Sequence, residues 1–404
     1  MTSDDTGTDG PLDGLRVLDL SGLISGGYAT MLLADFGAEV IFAEHPDHPD
    51  PIREWPPTED GVSLWWKSLA RNKRCVTLDL GSDEGHALAL ELAADADVVV
   101  ENFRPGTMEQ WDLGYEEFRA VNEEIIMVRI SGYGQTGPKS DRPGFGTVAE
   151  AISGFAHVNG FPDREPLLPP ISLADIAAAH TAVESLMFAI YERDVGGSGE
   201  GQVVDVSLYE SLFRMFPGDV EAYDRQGVVR ERMGNHHPAA APRNVYETSD
   251  GHVALSASSP AIFENLCMAI GNPELVDDPR FVDNESRVDH ADELDEYIED
   301  WTRERTTDEA LEALRAADAV VAPVYDIADI FADEQYRARD DIVEVDDEDL
   351  GPVKTPGALP KFSRTPGRVA HLGPRHGQHN HEVYAEELGL DESTLAELRE
   401  KDVV

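Results

Sequence analysis

The chain has 404 residues, and 32 Lys and Arg stand against 80 Asp and Glu, for a formal net charge of −48. With 41% hydrophobic residues there is ample material for packed cores, so the acidity does not mark a disordered chain. Two Cys at no metal-like spacing exclude a disulfide scaffold or a zinc finger, and the charge repels nucleic acid and acidic membranes.

Leu15–Leu20 reads as a short buried strand, followed by a turn holding Ser21, Gly22, Gly26 and Gly27. Ala29–Phe36 carries apolar residues at helical spacing and stops at Gly37. Glu39–Glu44 is the next strand, completing a β-α-β unit. The rhythm recurs in strand Val76–Leu80, helix Asp83–Ala94, strand Asp97–Glu101 and strand Glu123–Ile130, the last running into Ser131-Gly132-Tyr133-Gly134. Continuous apolar strands alternating with helices predict a doubly wound α/β sheet. Asp175–Arg193 is a long helix, with Asp175 as its expected N-cap. Val203–Leu208 is a strand followed by a helix. Residues 227–243, rich in His, Pro and Arg, read as a linker. His252–Ser256 is a strand, helices run to Arg315, and Ala319–Val324 is a strand expected to return to the first domain. Residues 355–380 are expected to run extended over a surface, and a last helix starts near Asp391.

Length gives a prior of two to three domains. Surface scaling gives ~15,500 Å² for a compact monomer, or one net negative charge per ~320 Å². Such crowding is relieved only in strong salt, where at ~1 M the Debye length falls to ~3 Å. The expectation is a cytoplasmic protein of an extreme halophile. The acidic start, Met1 to Asp5, has no apolar stretch of the secretory kind. No uninterrupted apolar run reaches the ~18 residues of a membrane span.

Against that background, Lys67, Arg71, Lys73 and Arg74 form a dense basic cluster without an acid. Arg53 and Arg104 flank it. Such an island suits a polyanionic small molecule such as coenzyme A, because Arg pairs phosphate bidentately and Lys supplies a point charge. The glycines of the first turn do not make the dinucleotide fingerprint, so hydride chemistry is not expected. Asp175 is a candidate nucleophile, kept ionised by the positive end of its helix. His236, His237, His376, His379 and His381 are read as loop residues, and no metal is expected.

In these segments the chain resembles the family III CoA-transferases, the CaiB/BaiF family. The likeness rests on Leu12–Leu20, Leu32–Ile41, Arg71–Arg74, Val76–Leu80, Glu101–Gly106, Ser131–Pro138, Asp175–Ala178, Gly201–Leu208 and Ala322–Val324, in that order and spacing. It implies an α/β fold. A large Rossmann-like domain from residues 1–225 and 325–404 would be joined through a linker, 226–243, to a smaller α+β domain, 244–324. It also implies an obligate interlocked homodimer. Asp175 would be the catalytic residue, passing through an aspartyl mixed anhydride and an aspartyl-CoA thioester. Coenzyme A, as substrate and product thioester, would meet Ile24, Ser25, His45, Ala70, Arg71, Asn72, Lys73, Asn102, Phe103, Arg104, Gly132 and Tyr133.

This chain departs from formyl-CoA transferase in carrying His45 and Gln110 at family arginines. In place of a long glycine-rich loop it offers only Ser256–Pro260. The first departure alters the expected CoA contacts, and the missing loop speaks against formate and oxalate; small dicarboxylates, with succinyl-CoA and mesaconate as the pair, are the expectation from family and habitat. Arg232, Arg243 and the His236-His237 loop are candidates for holding the second carboxylate. Two other readings remain open. A 2-methylacyl-CoA racemase needs a titratable residue where Gly144-Phe145-Gly146 stands, and a non-catalytic CoA-binding protein would need no nucleophile.

Overall fold

The computed structural model describes residues 10–404. The acidic first residues, read above for the absence of a leader, lie outside them. The chain forms two compact units. One runs up to Phe155 and adds Pro169–Gly218 and Gln335–Val404; the other comprises Ala156–Leu168 and Asp219–Glu334.

The larger unit is built on six parallel strands. They are β1 (Arg16–Asp19), β2 (Glu39–Glu44), β3 (Arg74–Thr77), β4 (Val98–Glu101), β5 (Ile126–Ser131) and β6 (Val203–Ser207). Their order is β3-β2-β1-β4-β5-β6, a doubly wound sheet whose direction of winding reverses between β1 and β4. Successive residues of β1 serve opposite faces. Leu18 joins Val76, Leu92, Val99 and Tyr384 on one side. Val17 joins Val98, Ile126, Ala178 and Leu186 on the other.

Helix α1 (Ser25–Asp35) crosses from β1 to β2, and α2 (Asp83–Ala94) starts where Ser82 caps it through the Gly85 amide. The short α3 (Gly146–Ile152) and the long α4 (Leu173–Tyr191) follow β5, and α5 (Leu208–Phe213) follows β6. Helix α4 buries Ala177, Ala178, Ala182 and Leu186 against the sheet, while Phe188 and Tyr191 stay 65% exposed. Extended through Gly196, this helix is long and apolar enough to cross a bilayer by length and composition. Its sequence is not an uninterrupted apolar run, since Asp175, His180 and Glu184 fall within it.

The smaller unit carries β7 (Arg243–Glu247), β8 (His252–Ser256) and β9 (Val320–Pro323) in an antiparallel sheet ordered β9-β8-β7. Helices cover it around Phe263, Leu266, Leu294, Ile298 and Leu314. This extent differs from the expected 244–324. Residues 226–243 belong to the unit instead of linking to it, and β9 pairs with β8 instead of returning to the first sheet.

Two further boundaries moved. The expected strand Val76–Leu80 is Arg74–Thr77, because Leu78 makes one more bond, to Glu44 O, and Asp79 then turns to Val403 O. The long helix is capped at Ser172, so Asp175 lies inside its first turn and is not the N-cap.

Candidate active site

Asp175 is the third residue of α4, on the turn whose amides have no intrahelical acceptor. Gly146, the first residue of α3, lies directly against it. A β-carbon there would overlap Asp175 Oδ2 and sit 3.4 Å from its Cγ. Glu150, one turn further along α3, is buried, and its Oε1 accepts the Ala174 amide at 3.4 Å. The Asp175 carboxyl is pushed up to about 6, first by burial and then by the Glu150 charge. The carboxyl is more basic than the helix end by itself would make it, and a group of this pKa is still ionised at neutral pH. Desolvation and a like charge outweigh the amide dipoles.

The turn after β5 approaches the same place. Gly132 packs on Gly144, where a β-carbon would come within 2.6 Å of the Gly144 Cα, and the Tyr133 ring lies over Gly144. Tyr133 also faces Tyr209 at 6.2 Å between ring centroids. Gly132 and Tyr133 are thus linked to Asp175 through Gly144-Phe145-Gly146. Phe145 itself is 65% exposed.

At the carboxyl ends of β1, β2 and β4 lies a cleft of about 450 Å³, lined by Ser21, Gly22, His45, Asp50, Asp79 and Phe103 among others. This is the position where open α/β sheets bind ligands. Asn102 fixes its rim, accepting the Gly22 amide at 2.9 Å and donating to Gly22 O at 2.6 Å and to Ser25 Oγ at 3.3 Å. Ile24 and Ser25 are buried beneath the turn. The left-handed residue of this turn is Leu23, at φ 59°, and not a glycine. Gly26 is required by its close approach to Ser21. Phe103 stands edge-on to Trp111, and His45 stacks near His48 at 4.8 Å. Arg104 is exposed.

The basic island is not an open positive surface. Lys67 Nζ lies 2.8 Å from both Asp347 and Asp349. Arg71 is buried against Asp35 and Pro356 O. Asn72 donates to Asp35 and accepts the Ala370 amide. Lys73, 1% exposed, reaches Asp19 at 3.2 Å and Gly27 O at 2.8 Å. Arg74 is shared among Glu39, Glu382 and Glu387, and Ala70 is buried. The polar groups of Arg71, Asn72 and Lys73, expected to meet CoA, are paired here with distant acids and carbonyls of the same chain. Arg53 likewise pairs with Glu44.

Among the described residues, neither arginine of the 232–243 stretch is held by an acid. Arg232 donates to His157 O and Arg243 to Asn235 O, both at 2.9 Å. His236 is held by Asp295 at 2.6 Å, which raises its pKa, and is not an open charge. His376, His379 and His381 each have separate partners, in His45 O, the Cys75 amide and Glu392. Among the described residues no three His, Cys, Asp or Glu are grouped to hold a metal ion.

Fold and site together define an α/β protein with a half-buried aspartate of raised pKa and a cleft at its topological switch. The description CoA-transferase family III matches residues 12–380, and the chain belongs to that family and is a CoA-transferase. It is 43% identical, over 98% of both chains, to the succinyl-CoA–D-citramalate CoA-transferase of Chloroflexus aurantiacus. It is 36% identical to the succinyl-CoA:mesaconate CoA-transferase of Haloarcula hispanica, over 91% of this chain and 94% of that one. Among solved structures, a CaiB/BaiF family protein from Brucella suis superposes with a TM-score of 0.83 at 31% identity, covering 93% of this chain and 99% of the other.

Glu150 was missed by the sequence reading. The available signal was an acid in an otherwise apolar stretch, Val148 to Ile152, with no base at helical spacing.

Proposed function

We propose that the protein transfers CoA from succinyl-CoA to a five-carbon dicarboxylic acid, mesaconate first among them, with Asp175 as covalent nucleophile. The observation that carries this reading is the Asp175 carboxyl in the first turn of α4, ionised at neutral pH yet more basic than an ordinary aspartate. An Asp175 oxygen attacks the succinyl thioester carbon. A C–O bond forms, the C–S bond breaks, and the electron pair leaves on the CoA thiolate. The thiolate attacks the aspartyl carbonyl of the anhydride and releases succinate. The acceptor carboxylate attacks the resulting aspartyl-CoA thioester, expelling the thiolate again. The thiolate then takes the acceptor acyl group and restores Asp175.

CoA is assigned to the cleft beside His45 and Phe103, whose rim Ile24, Ser25 and Asn102 shape. Arg104 would meet phosphate, and Gly132 with Tyr133 would lead the pantetheine toward Asp175. The donor and acceptor assignments draw on the named activities of the two relatives, which both use succinyl-CoA and a five-carbon diacid. The exposed apolar run Phe188, Tyr191 and Val195 supports a homodimer in which a second copy covers it. The charge of −48 supports a halophilic cytoplasm as its setting.

The reading is tested by incubating the protein with succinyl-CoA and single carboxylic acids, and weighing the CoA products by mass spectrometry. Mesaconyl-CoA or citramalyl-CoA formation is expected. Free CoA alone, or no change, would overturn the transferase assignment at this site.

A further inference from the structure

The Asp175 carboxylate shares its site with a second acid that has no cationic partner among the described residues. Glu150 is 4% exposed. What it holds instead is the start of α4. It accepts the Ala174 amide at 3.4 Å; burial raises its pKa, and the Ala174 and Leu173 amides oppose that rise. Ser172, the residue at the cap position, makes no capping bond with its side chain. The Ala174 amide at the start of helix α4 is therefore satisfied from α3, and of the amides of this turn only that of Asp175 itself lowers the Asp175 carboxyl.

We propose that Glu150 is a positioning residue for Asp175: it fixes the first turn of the nucleophile's helix and places a standing negative charge behind it, so that acylation is favoured over the free carboxylate. This rests on the reading of Asp175 as nucleophile. In the acylation step the Asp175 oxygen bonds to the thioester carbon, the C–S bond breaks and the charge departs on the thiolate. One of two crowded like charges is thereby removed from a poorly solvated site. The same crowding makes the free carboxylate more basic, and so a stronger nucleophile at neutral pH.

The other charged groups on elements packed against α4 do not take this role. Asp35 of α1 is held by Arg71, and Tyr28 of α1 rests edge-on against His180 of α4. Arg129 of β5 is held by Glu101 and Glu109. Asp205 of β6 accepts the Gln135 amide, and Tyr209 of α5 bonds Glu210. Arg193, at the end of α4, lies between Asp97 and Asp194. Burial and Glu150 are what raise Asp175.

The test follows the ionisation of Asp175 without turnover. A water-soluble carbodiimide modifies protonated carboxyls, and peptide mass spectrometry reads labelling of Asp175 against pH. In the unaltered protein the midpoint is expected near 6, about two units above an ordinary aspartate. In Glu150→Gln, which keeps an oxygen for the Ala174 amide but loses the charge, the midpoint should fall by about one unit. The acid limb of kcat/KM for succinyl-CoA should move with it, and the rate at neutral pH should drop about tenfold. Glu150→Asp, which keeps the charge, should retain the raised midpoint. A midpoint near 4 in the unaltered protein would overturn the proposal, even if no variant folds. So would an unshifted midpoint in Glu150→Gln. Failure of the transferase reading would show separately, as raised labelling midpoints without any acyl exchange.

Discussion

Gly146 and Asp175 are in direct contact, the α-carbon of the first lying where any side chain would displace the carboxylate of the second. Gly146→Ala is therefore predicted to rotate the nucleophile out of line. Positive φ is not at issue, since Gly146 is not among the left-handed glycines. The fold should survive, and kcat/KM for succinyl-CoA should fall by at least about 10²-fold, as expected when a reacting group is misplaced by about an ångström. Steady-state kinetics beside a thermal melt checks this. Equal activity would mean the carboxylate is not confined there.

Asp175 also carries a stability signature. Its folded pKa is raised, to about 6, above the ordinary ~3.9 of an unfolded chain. Stability from the protonated group is complete below ~4 and is lost as pH rises through 6. Asp175→Asn should therefore stabilise the protein at pH 8 by ~1–3 kcal/mol, and leave it unchanged at pH 4. Chemical denaturation at the two pH values measures the difference. The same variant should have no transferase activity.

Lys73 and Arg104 should respond in opposite ways. Lys73→Met strands the buried Asp19 without its cation and is predicted to cost ~3–5 kcal/mol of stability. Arg104→Ala removes an exposed side chain, so the melt should not move, while KM for succinyl-CoA rises about tenfold. A stable Lys73→Met with weakened CoA binding would restore the island as a ligand grip.

The charge of −48 sets the salt dependence. Above ~1 M KCl the protein should sediment as a dimer and melt in one transition. Toward ~0.1 M, where the Debye length grows to ~10 Å, self-repulsion should lower the melting temperature and dissociate the dimer. Sedimentation across a KCl series checks both. A melting temperature independent of salt would contradict the prediction.

The parallel sheet was legible because its inner strands are nearly unbroken apolar runs, as strands buried on both faces must be, and the expected helix Asp83–Ala94 matches α2 to the residue. The start of α4 was misjudged by two residues, since Asp175 looks like a cap while the helix is capped from α3. The pairing of the island at 67–74 was not legible for a related reason. Its partners Asp19, Asp35, Asp347 and Asp349 lie far away in sequence, and local charge density says nothing about pairing across the fold. Glu150 left only a weak local signal, an acid in an apolar stretch, as its meaning comes from the helix it meets.

The central claim is covalent, and one measurement reaches it directly. The protein is mixed with succinyl-CoA, quenched with hydroxylamine during turnover, and digested for peptide mass spectrometry. The account predicts a hydroxamate on Asp175, absent when succinyl-CoA is omitted. Active turnover with Asp175 unmodified, or with the label on another carboxylate, would contradict it.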